Sequence, residues 1–217
     1  MDAIPTRGRH LNHVAALYDP LLETLSFGRE QRFRELSLTH MAIQPDDRIL
    51  DIGCGTGSLT LLAARLLGPE GSIIGIDAAP KMITIACRKA SQQGSAARFR
   101  AAVAESLPFT DGEFSLVVNS MFCHHVDLAL KRAAFGEMFR VLAPGGRLLT
   151  ADIDRPTTPL GWLTGWIGRW LLLQPELADN LRGLLPGLMR QAGFADVRQV
   201  AHVHGLISFF TARKEAT

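Results

Sequence analysis

The chain has 217 residues, of which 47% are hydrophobic and 20% are charged, and this balance supports one ordinary globular core. A formal net charge of +2 gives no field that would by itself recruit nucleic acid, so no such partner is expected. The three cysteines lack CxxC or Cys/His metal spacing, which argues against a disulfide framework and a zinc site and predicts free thiols in a cytoplasmic protein.

The N-terminal part, residues 1–42, is predicted to form a helical lid. It is polar and broken by prolines as far as residue 20, and apolar side chains then recur at helical spacing. Its first residues lack the apolar core of a secretory signal. The sequence also has no uninterrupted apolar run of about 18 residues, so no membrane-spanning helix is expected.

Short apolar runs alternate with helical segments over residues 43–153. Strands are predicted at residues 48–53, 72–77, 97–103, 114–122 and 146–153, an alternation typical of a parallel doubly wound sheet. A helical insertion is predicted at residues 154–192. A closing antiparallel hairpin at residues 193–217 follows, with its strands meeting at Gly205. The sequence therefore predicts a single α/β domain with a Rossmann-like, seven-stranded, mostly parallel sheet and an antiparallel C-terminal strand.

The segment "LDIGCGTGS" places a glycine-rich turn directly after the first predicted strand. Gly53, Gly55 and Gly57 allow positive φ and close approach of a ligand, at the strand ends where doubly wound sheets bind ligands. Asp51 would repel a pyrophosphate but can bind an amino group, and Asp77 can accept hydrogen bonds from ribose hydroxyls. S-adenosylmethionine, which has both parts, therefore suits this GxGxG loop better than NAD, whose pattern is GxGxxG.

Four segments, "ILDIGCGTG", "GIDAAPKMI", "ESLPFTDGEFSLVV" and "RVLAPGGRLL", together resemble the motif series of class I S-adenosylmethionine-dependent methyltransferases. The N-terminal "YDPLLETLSFGREQRFRE" is similar to the quinone-biosynthesis C-methyltransferases and to bacterial phospholipid N-methyltransferases. The resemblance implies that the methionine part of the cofactor lies against the three glycines, with Asp51 at its amino group and Asp77 at the ribose. It implies further cofactor contacts from Tyr18, Ala78, Met82, Ala104 and Glu105.

The sequence departs from this family at Val103, where relatives commonly carry an acidic residue that receives the adenine amino group. Adenine recognition is then expected to depend on the Ala104 backbone, on Glu105 or on apolar stacking. Because of this substitution, a second hypothesis is retained, in which the domain binds the cofactor without transferring its methyl group.

The segment "NSMFCHHVD" follows the fourth predicted strand and is expected to face the same cleft. His124 is the candidate catalytic base or hydrogen-bond partner of the substrate; the alternative is that both histidines only satisfy backbone groups at a strand end. Asn119 is predicted beside the cofactor, and Met121 and His125 on the acceptor side. Methyl transfer from a sulfonium depends on alignment and needs no metal, and none is predicted.

All three tryptophans of the chain lie within "GWLTGWIGRW" in the predicted insertion. At helical spacing, Trp162, Trp166 and Trp170 form one apolar stripe, with glycines and Arg169 opposite. A core helix, a membrane-surface anchor and a wall of a substrate pocket all fit such a stripe. Because three glycines weaken a structural helix and the polar side has a single arginine, a mobile lid over a lipophilic acceptor is favoured.

The leading hypothesis is methyl transfer from S-adenosylmethionine to a bulky lipophilic or aromatic small molecule at carbon, oxygen or nitrogen. Two alternatives are N-methylation of a phospholipid headgroup at a membrane surface and an inactive cofactor-binding module. A nicotinamide-dependent dehydrogenase is disfavoured by the glycine spacing. Transient membrane contact and the oligomeric state are left open by the sequence.

Overall fold

The structure is a computed structural model that describes residues 29–171 and 175–216, with side chains described outside residues 29–30 and 168–171. Tyr18 and most of the predicted N-terminal lid lie outside these residues. Within them the helices are α1 Arg29–Met41, α2 Ser58–Ala64, α3 Pro80–Gln92, α4 Leu128–Val141, α5 Pro159–Leu171, α6 Leu177–Leu181 and α7 Leu185–Gln191. The strands are β1 Arg48–Ile52, β2 Ser72–Asp77, β3 Arg98–Ala101, β4 Phe114–Ser120, β5 Leu142–Ile153, β6 Ala195–Val203 and β7 Ile207–Arg213.

The seven strands form one sheet in the order β3-β2-β1-β4-β5-β7-β6. β1 to β5 pair in parallel, whereas β7 is antiparallel to both of its neighbours, β5 and β6. This arrangement confirms the predicted Rossmann-like sheet and the closing hairpin. The chain moves outward in one direction from β1 to β3 and in the other from β4, so the carboxyl ends of β1 and β4 flank the switch point where doubly wound sheets bind ligands.

Both faces of the sheet are buried, as expected for parallel strands joined by helices. On one face, Leu50 and Val117 pack with Phe135 and Met138 of α4 and with Met189 of α7. The other face packs against α1 and α2 through a second cluster that contains Met41, Ile49, Leu59, Leu61, Val118, Leu149 and Phe209. Because helices cover both faces, the carboxyl ends of the strands are where a doubly wound sheet of this kind offers a binding cleft.

The predicted helical insertion contains three helices, α5, α6 and α7, within the described part of residues 154–192. Gly183 has a φ of +74° between α6 and α7, and Pro186 lies in the first turn of α7, so local backbone chemistry separates these two helices. Over residues 29–171 and 175–216, no helix combines the length and the apolar character that crossing a bilayer requires.

Candidate active site

The glycine turn after β1 is anchored to the end of β2 by hydrogen bonds. The amides of Gly53 and Cys54 both donate to the carbonyl oxygen of Ile76 at 2.9 Å. The Asp77 carboxylate accepts from the Gly55 amide at 3.0 Å and from the Ala79 amide at 2.8 Å. A carboxylate offers about four acceptor positions, so anchoring the loop is compatible with the predicted role of Asp77 toward ribose hydroxyls.

The middle of the glycine turn has the shape that a closely bound ligand requires. Gly53, Gly55 and Gly57 all have positive φ, at +71°, +54° and +78°. A Cβ on Gly53 would lie 2.9 Å from the Phe122 ring, and one on Gly57 would lie 2.6 Å from the Phe99 ring. A Cβ on Gly55 would meet nothing within 4 Å. The backbone at Gly55 therefore borders open space, which fits a cofactor lying against the loop.

Asp51 lies at the end of β1 and is 2% exposed. Burial raises its pKa to about 6; a hydrogen bond from the Thr60 hydroxyl at 2.6 Å opposes this rise, and the nearby Asp77 charge adds to it. A cationic amino group beside this carboxyl would favour its ionised form. The electrostatics therefore fit the predicted contact with the amino group of a methionine moiety.

Cys54 lies inside the glycine turn, but its chemistry does not suit a nucleophile. Burial raises the pKa of its thiol, and the neighbouring Asp51 and Asp77 charges raise it further. A protonated thiol is a weak nucleophile. The turn is therefore built to bind a ligand rather than to form a covalent intermediate.

The residues predicted around the adenine flank the ends of β2 and β3. Met82 is 2% exposed and packs with Ala79 and Ile85, and Ala78 immediately follows β2. Ala104 is buried after β3, while Val103 and Glu105 on either side of it are half-buried. The contacts of these residues with adenine remain predictions.

His124 and its neighbours form a turn of 3-10 helix, Cys123–His125, just after β4. Its Nδ1 lies 2.6 Å from Oδ1 of Asp152 near the end of β5, and both side chains are buried. Within the described part of the chain, Nε2 of His124 has no hydrogen-bond partner. Asp152 is not among the residues predicted from the sequence; its position at the end of a predicted strand marks it as a candidate for the cleft, but not as the partner of His124.

Asn119 is placed differently from the prediction. Its side chain is fully buried, donates to the Thr150 hydroxyl at 2.9 Å, and lies 3.5 Å from Sδ of Met138 on α4. Its Oδ1 faces the Cys123 thiol. The side chain therefore points into the core because both of its polar ends have partners there, and it is corrected from a cofactor contact to a core residue.

Met121 and His125 lie on the exposed side of the same segment and are half-buried. Met121 has a φ of +53°, a region that non-glycine residues seldom adopt and that recurs at functional sites. The His125 ring lies on the His124 ring at 3.9 Å between centroids. The structure thus brings Met121, His124 and His125 together beyond the end of β4.

The tryptophan helix α5 has its apolar side outward. Trp162 is 53% exposed and stacks on the half-buried Trp166 ring at 5.4 Å, and Leu163 and Ile167 are also exposed. The opposite side packs closely, since a Cβ on Gly161 would lie 2.3 Å from the Gly205 carbonyl oxygen. The side chain of Trp170 lies outside the described residues.

The core-helix interpretation of α5 is therefore wrong, because a core helix would bury its apolar stripe and this stripe faces outward. Gly161 and Gly165 provide close packing: a Cβ on Gly165 would lie 2.9 Å from the Leu181 side chain.

The sheet order, the glycine turn after β1 and the carboxylate at the end of β2 define the protein as an α/β enzyme of the nucleoside-binding, doubly wound class. Residues 49–146 match a family model described as a methyltransferase domain. An uncharacterized methyltransferase of Synechocystis sp. is 35% identical, covering 90% of this chain and 89% of the relative. The ubiquinone/menaquinone biosynthesis C-methyltransferase UbiE of Stutzerimonas stutzeri is 36% identical, covering 90% and 83%.

A crystal structure of a SAM-dependent methyltransferase from Methanosarcina mazei is 25% identical, with a TM-score of 0.65 and coverage of 82% of this chain and 97% of that one. The chain belongs to the S-adenosylmethionine-dependent methyltransferases. Its cofactor is S-adenosylmethionine, and the open backbone at Gly55 and the buried carboxyl of Asp51 fit that molecule.

Proposed function

We propose that the protein methylates a ring carbon of a bulky, lipophilic quinol, with His124 as the general base. The observation that carries this proposal is the buried contact between His124 and Asp152 at the carboxyl ends of β4 and β5. A phenolic acceptor must lose a proton to become a strong carbon nucleophile, and a histidine held by a carboxylate is suited to take it. The similarity to a relative named for ubiquinone and menaquinone biosynthesis supports the quinol class.

The bound cofactor supplies an electrophilic methyl group on a sulfonium. Nε2 of His124 takes a hydroxyl proton from the quinol, which raises electron density on the neighbouring ring carbon. The new carbon–carbon bond forms as the carbon–sulfur bond breaks, and the electron pair of that bond stays on sulfur. The ring carbon then loses its proton and the hydroxyl is restored, so the net reaction releases one proton.

The glycine turn and the two carboxylates have the binding role in this scheme. Asp51 would hold the amino group of the cofactor and Asp77 its ribose, and these contacts would align the cofactor for displacement. Val103 leaves adenine to apolar packing and to the backbone of Ala104. These side chains contribute alignment and no proton transfer.

The acceptor is proposed to lie between the segment after β4 and the insertion. Met121 and His125 lie beside His124, and Trp162 and Trp166 of α5 offer an aromatic surface for a lipophilic ring and tail; Trp170 is proposed to extend this surface. The outward apolar side of α5 also suits transient contact with a membrane surface in which such an acceptor is dissolved.

The decisive experiment measures S-adenosylhomocysteine formation with a panel of reduced demethylated quinones, simple phenols and phosphatidylethanolamine. We expect turnover with the long-chain quinols and carbon methylation in the product. His124→Gln is expected to lower kcat by about 10²- to 10⁴-fold, the usual contribution of a general base, without changing the Kd of S-adenosylmethionine.

A variant of the tryptophan helix separates acceptor binding from cofactor binding. Trp166→Ala is expected to raise the KM of the acceptor and to leave cofactor affinity unchanged. Preferential methylation of phosphatidylethanolamine would replace the proposed substrate, and tight cofactor binding without turnover of any acceptor would identify an inactive module.

A further inference from the structure

Two buried carboxylates lie at the carboxyl end of β5, Asp152 within the strand and Asp154 immediately after it, and their surroundings differ. Oδ2 of Asp152 accepts the Cys123 amide at 2.5 Å, and its Oδ1 accepts the Ile153 amide at 2.7 Å and faces Nδ1 of His124. Oδ2 of Asp154 accepts the Ser208 hydroxyl at 2.8 Å. Oδ1 of Asp154 is buried and has no hydrogen-bond partner within residues 29–171 and 175–216. Both carboxylate oxygens of Asp152 therefore accept hydrogen bonds, whereas only one oxygen of Asp154 does so within the described residues.

The contacts of Asp152 determine which nitrogen of His124 carries the proton. An ionised carboxylate only accepts hydrogen bonds, and both of its oxygens already accept backbone amides. In the neutral imidazole, Nδ1 must then donate to Asp152, which leaves the lone pair on Nε2. A histidine in this tautomer can accept a proton from a substrate at Nε2.

We infer that Asp152 is a positioning residue that holds His124 in its base-competent tautomer and balances the charge that His124 gains during the reaction. This role rests on the proposed function of His124. Both side chains are buried, His124 at 7% exposure and Asp152 at 0%. Their interaction is therefore little screened by solvent, and an imidazolium formed there keeps a counter-charge at 2.6 Å.

The insertion contributes to the same pair. Nδ2 of Asn180 on α6 donates to the Ile153 carbonyl at 2.9 Å and lies 3.4 Å from Oδ1 of Asp152. The fully buried Lys131 of α4 donates to the Glu176 carbonyl at 2.7 Å and lies 3.4 Å from the Asp179 carboxylate. These contacts attach α6 and the residue before it to α4 and to β5. The insertion is therefore held against the His124–Asp152 pair.

The test compares Asp152→Asn with Asp154→Asn. An asparagine at position 152 must turn its amide nitrogen toward a backbone N–H, because both carboxylate oxygens accept one, and it removes the counter-charge of His124. An asparagine at position 154 can keep the Ser208 bond and place its nitrogen at the unpartnered position. Asp154→Asn is therefore a matched control: Asp154 lies two residues further along the chain, just after β5, and is also buried.

We expect Asp152→Asn to lower kcat for the quinol by about 10²- to 10⁴-fold, the scale of base catalysis, with the acceptor KM and the cofactor Kd within about twofold. Asp154→Asn is expected to keep kcat within about threefold, as a substitution outside the proton-transfer pair. Equal losses in both variants, or an unchanged kcat in Asp152→Asn, would overturn the positioning role. Absence of turnover by the wild-type protein with any acceptor would instead reject the proposed function itself.

A second measurement tests the same inference without depending on whether Asp152→Asn folds. Nitrogen-15 and proton NMR of the wild-type protein should give a strongly downfield, slowly exchanging imidazole N–H that disappears in His124→Gln, with the proton on Nδ1 in the neutral ring. A neutral His124 ring protonated at Nε2 would overturn the inference whatever the activity assay gives.

Discussion

Two glycine-rich segments of this enzyme use the absence of a side chain for opposite purposes. In the turn after β1, all three glycines have positive φ, and the backbone at Gly55 borders open space. In α5, Gly161 and Gly165 lie in a regular helix and pack against Gly205 and Leu181. The first segment admits a ligand, and the second lets a helix approach the protein body so closely that its apolar side must face outward. Glycine content alone therefore indicates neither flexibility nor binding.

The sharpest test within the turn replaces Gly57 and Gly55 separately by alanine. Gly57→Ala is expected to lower the free energy of unfolding by about 2–5 kcal/mol, because the left-handed backbone disfavours a side chain and the methyl group must displace the Phe99 ring. Gly55→Ala is expected to cost roughly 1–2 kcal/mol but to weaken cofactor binding, since its methyl group enters the open space. Urea unfolding and calorimetric titration measure the two effects, and equal destabilisation by both substitutions would contradict the comparison.

Asp51, at the start of the glycine turn, is expected to make the folding stability of the protein depend on pH. Its pKa is about 6 in the folded protein and 3.8 in an unperturbed chain, so the unfolded state releases this proton first as the pH rises. At about 1.36 kcal/mol per pH unit between the two values, roughly 3 kcal/mol of folding stability is lost between about pH 4 and pH 6. Chemical unfolding across this range should show the loss, and Asp51→Asn should remove it.

Cofactor affinity should have the opposite pH dependence. The ionised carboxylate attracts the amino group of S-adenosylmethionine, so the Kd is expected to rise as the pH falls below about 6. A Kd that stays constant from pH 5 to pH 8 in the wild-type protein would argue against contact between Asp51 and that group.

The packing role of the α5 glycines is tested against a glycine in another helix. Gly161→Ala is expected to lower the free energy of unfolding by about 1–3 kcal/mol, because its methyl group would overlap the Gly205 carbonyl and push the helix outward. Gly136 lies inside α4, where a Cβ would meet nothing within 4 Å, so Gly136→Ala is expected to stabilise by about 0.5–1 kcal/mol. A stabilising Gly161→Ala would show that α5 is not closely packed.

The smallest effect is expected on the outward side of α5. Leu163 is 58% exposed, so Leu163→Ser should change the free energy of unfolding by no more than about 0.5 kcal/mol. Leu181, which packs against Gly165 and is 7% exposed, should lose about 2–4 kcal/mol on replacement by alanine. Thermal unfolding of Leu163→Ser and Leu181→Ala measures which side of the helix contributes to stability. A large loss of stability in Leu163→Ser would indicate that the apolar side of α5 is covered.

Features whose chemistry is local along the chain could be predicted from the amino-acid sequence. The doubly wound sheet follows from alternating apolar runs and helical segments, and β2 was predicted with its observed bounds at Ser72–Asp77. The glycine turn, Asp51 and Asp77 were recognisable because close spacing along the chain makes them one unit at the ends of adjacent strands. The class of cofactor followed from that unit.

Contacts between side chains that are distant along the chain depend on the three-dimensional fold. Asp152 pairs with His124 across 28 positions because β4 and β5 are adjacent, and no pattern near either residue specifies that contact. The sequence predicts Asn119 beside the cofactor, whereas its side chain occupies the core. Helical periodicity defined the apolar stripe of α5, but which side is buried depends on a partner at Gly205, far along the chain. A repeat along the chain fixes the relative directions of side chains, whereas burial is decided by the surface that the fold brings against them.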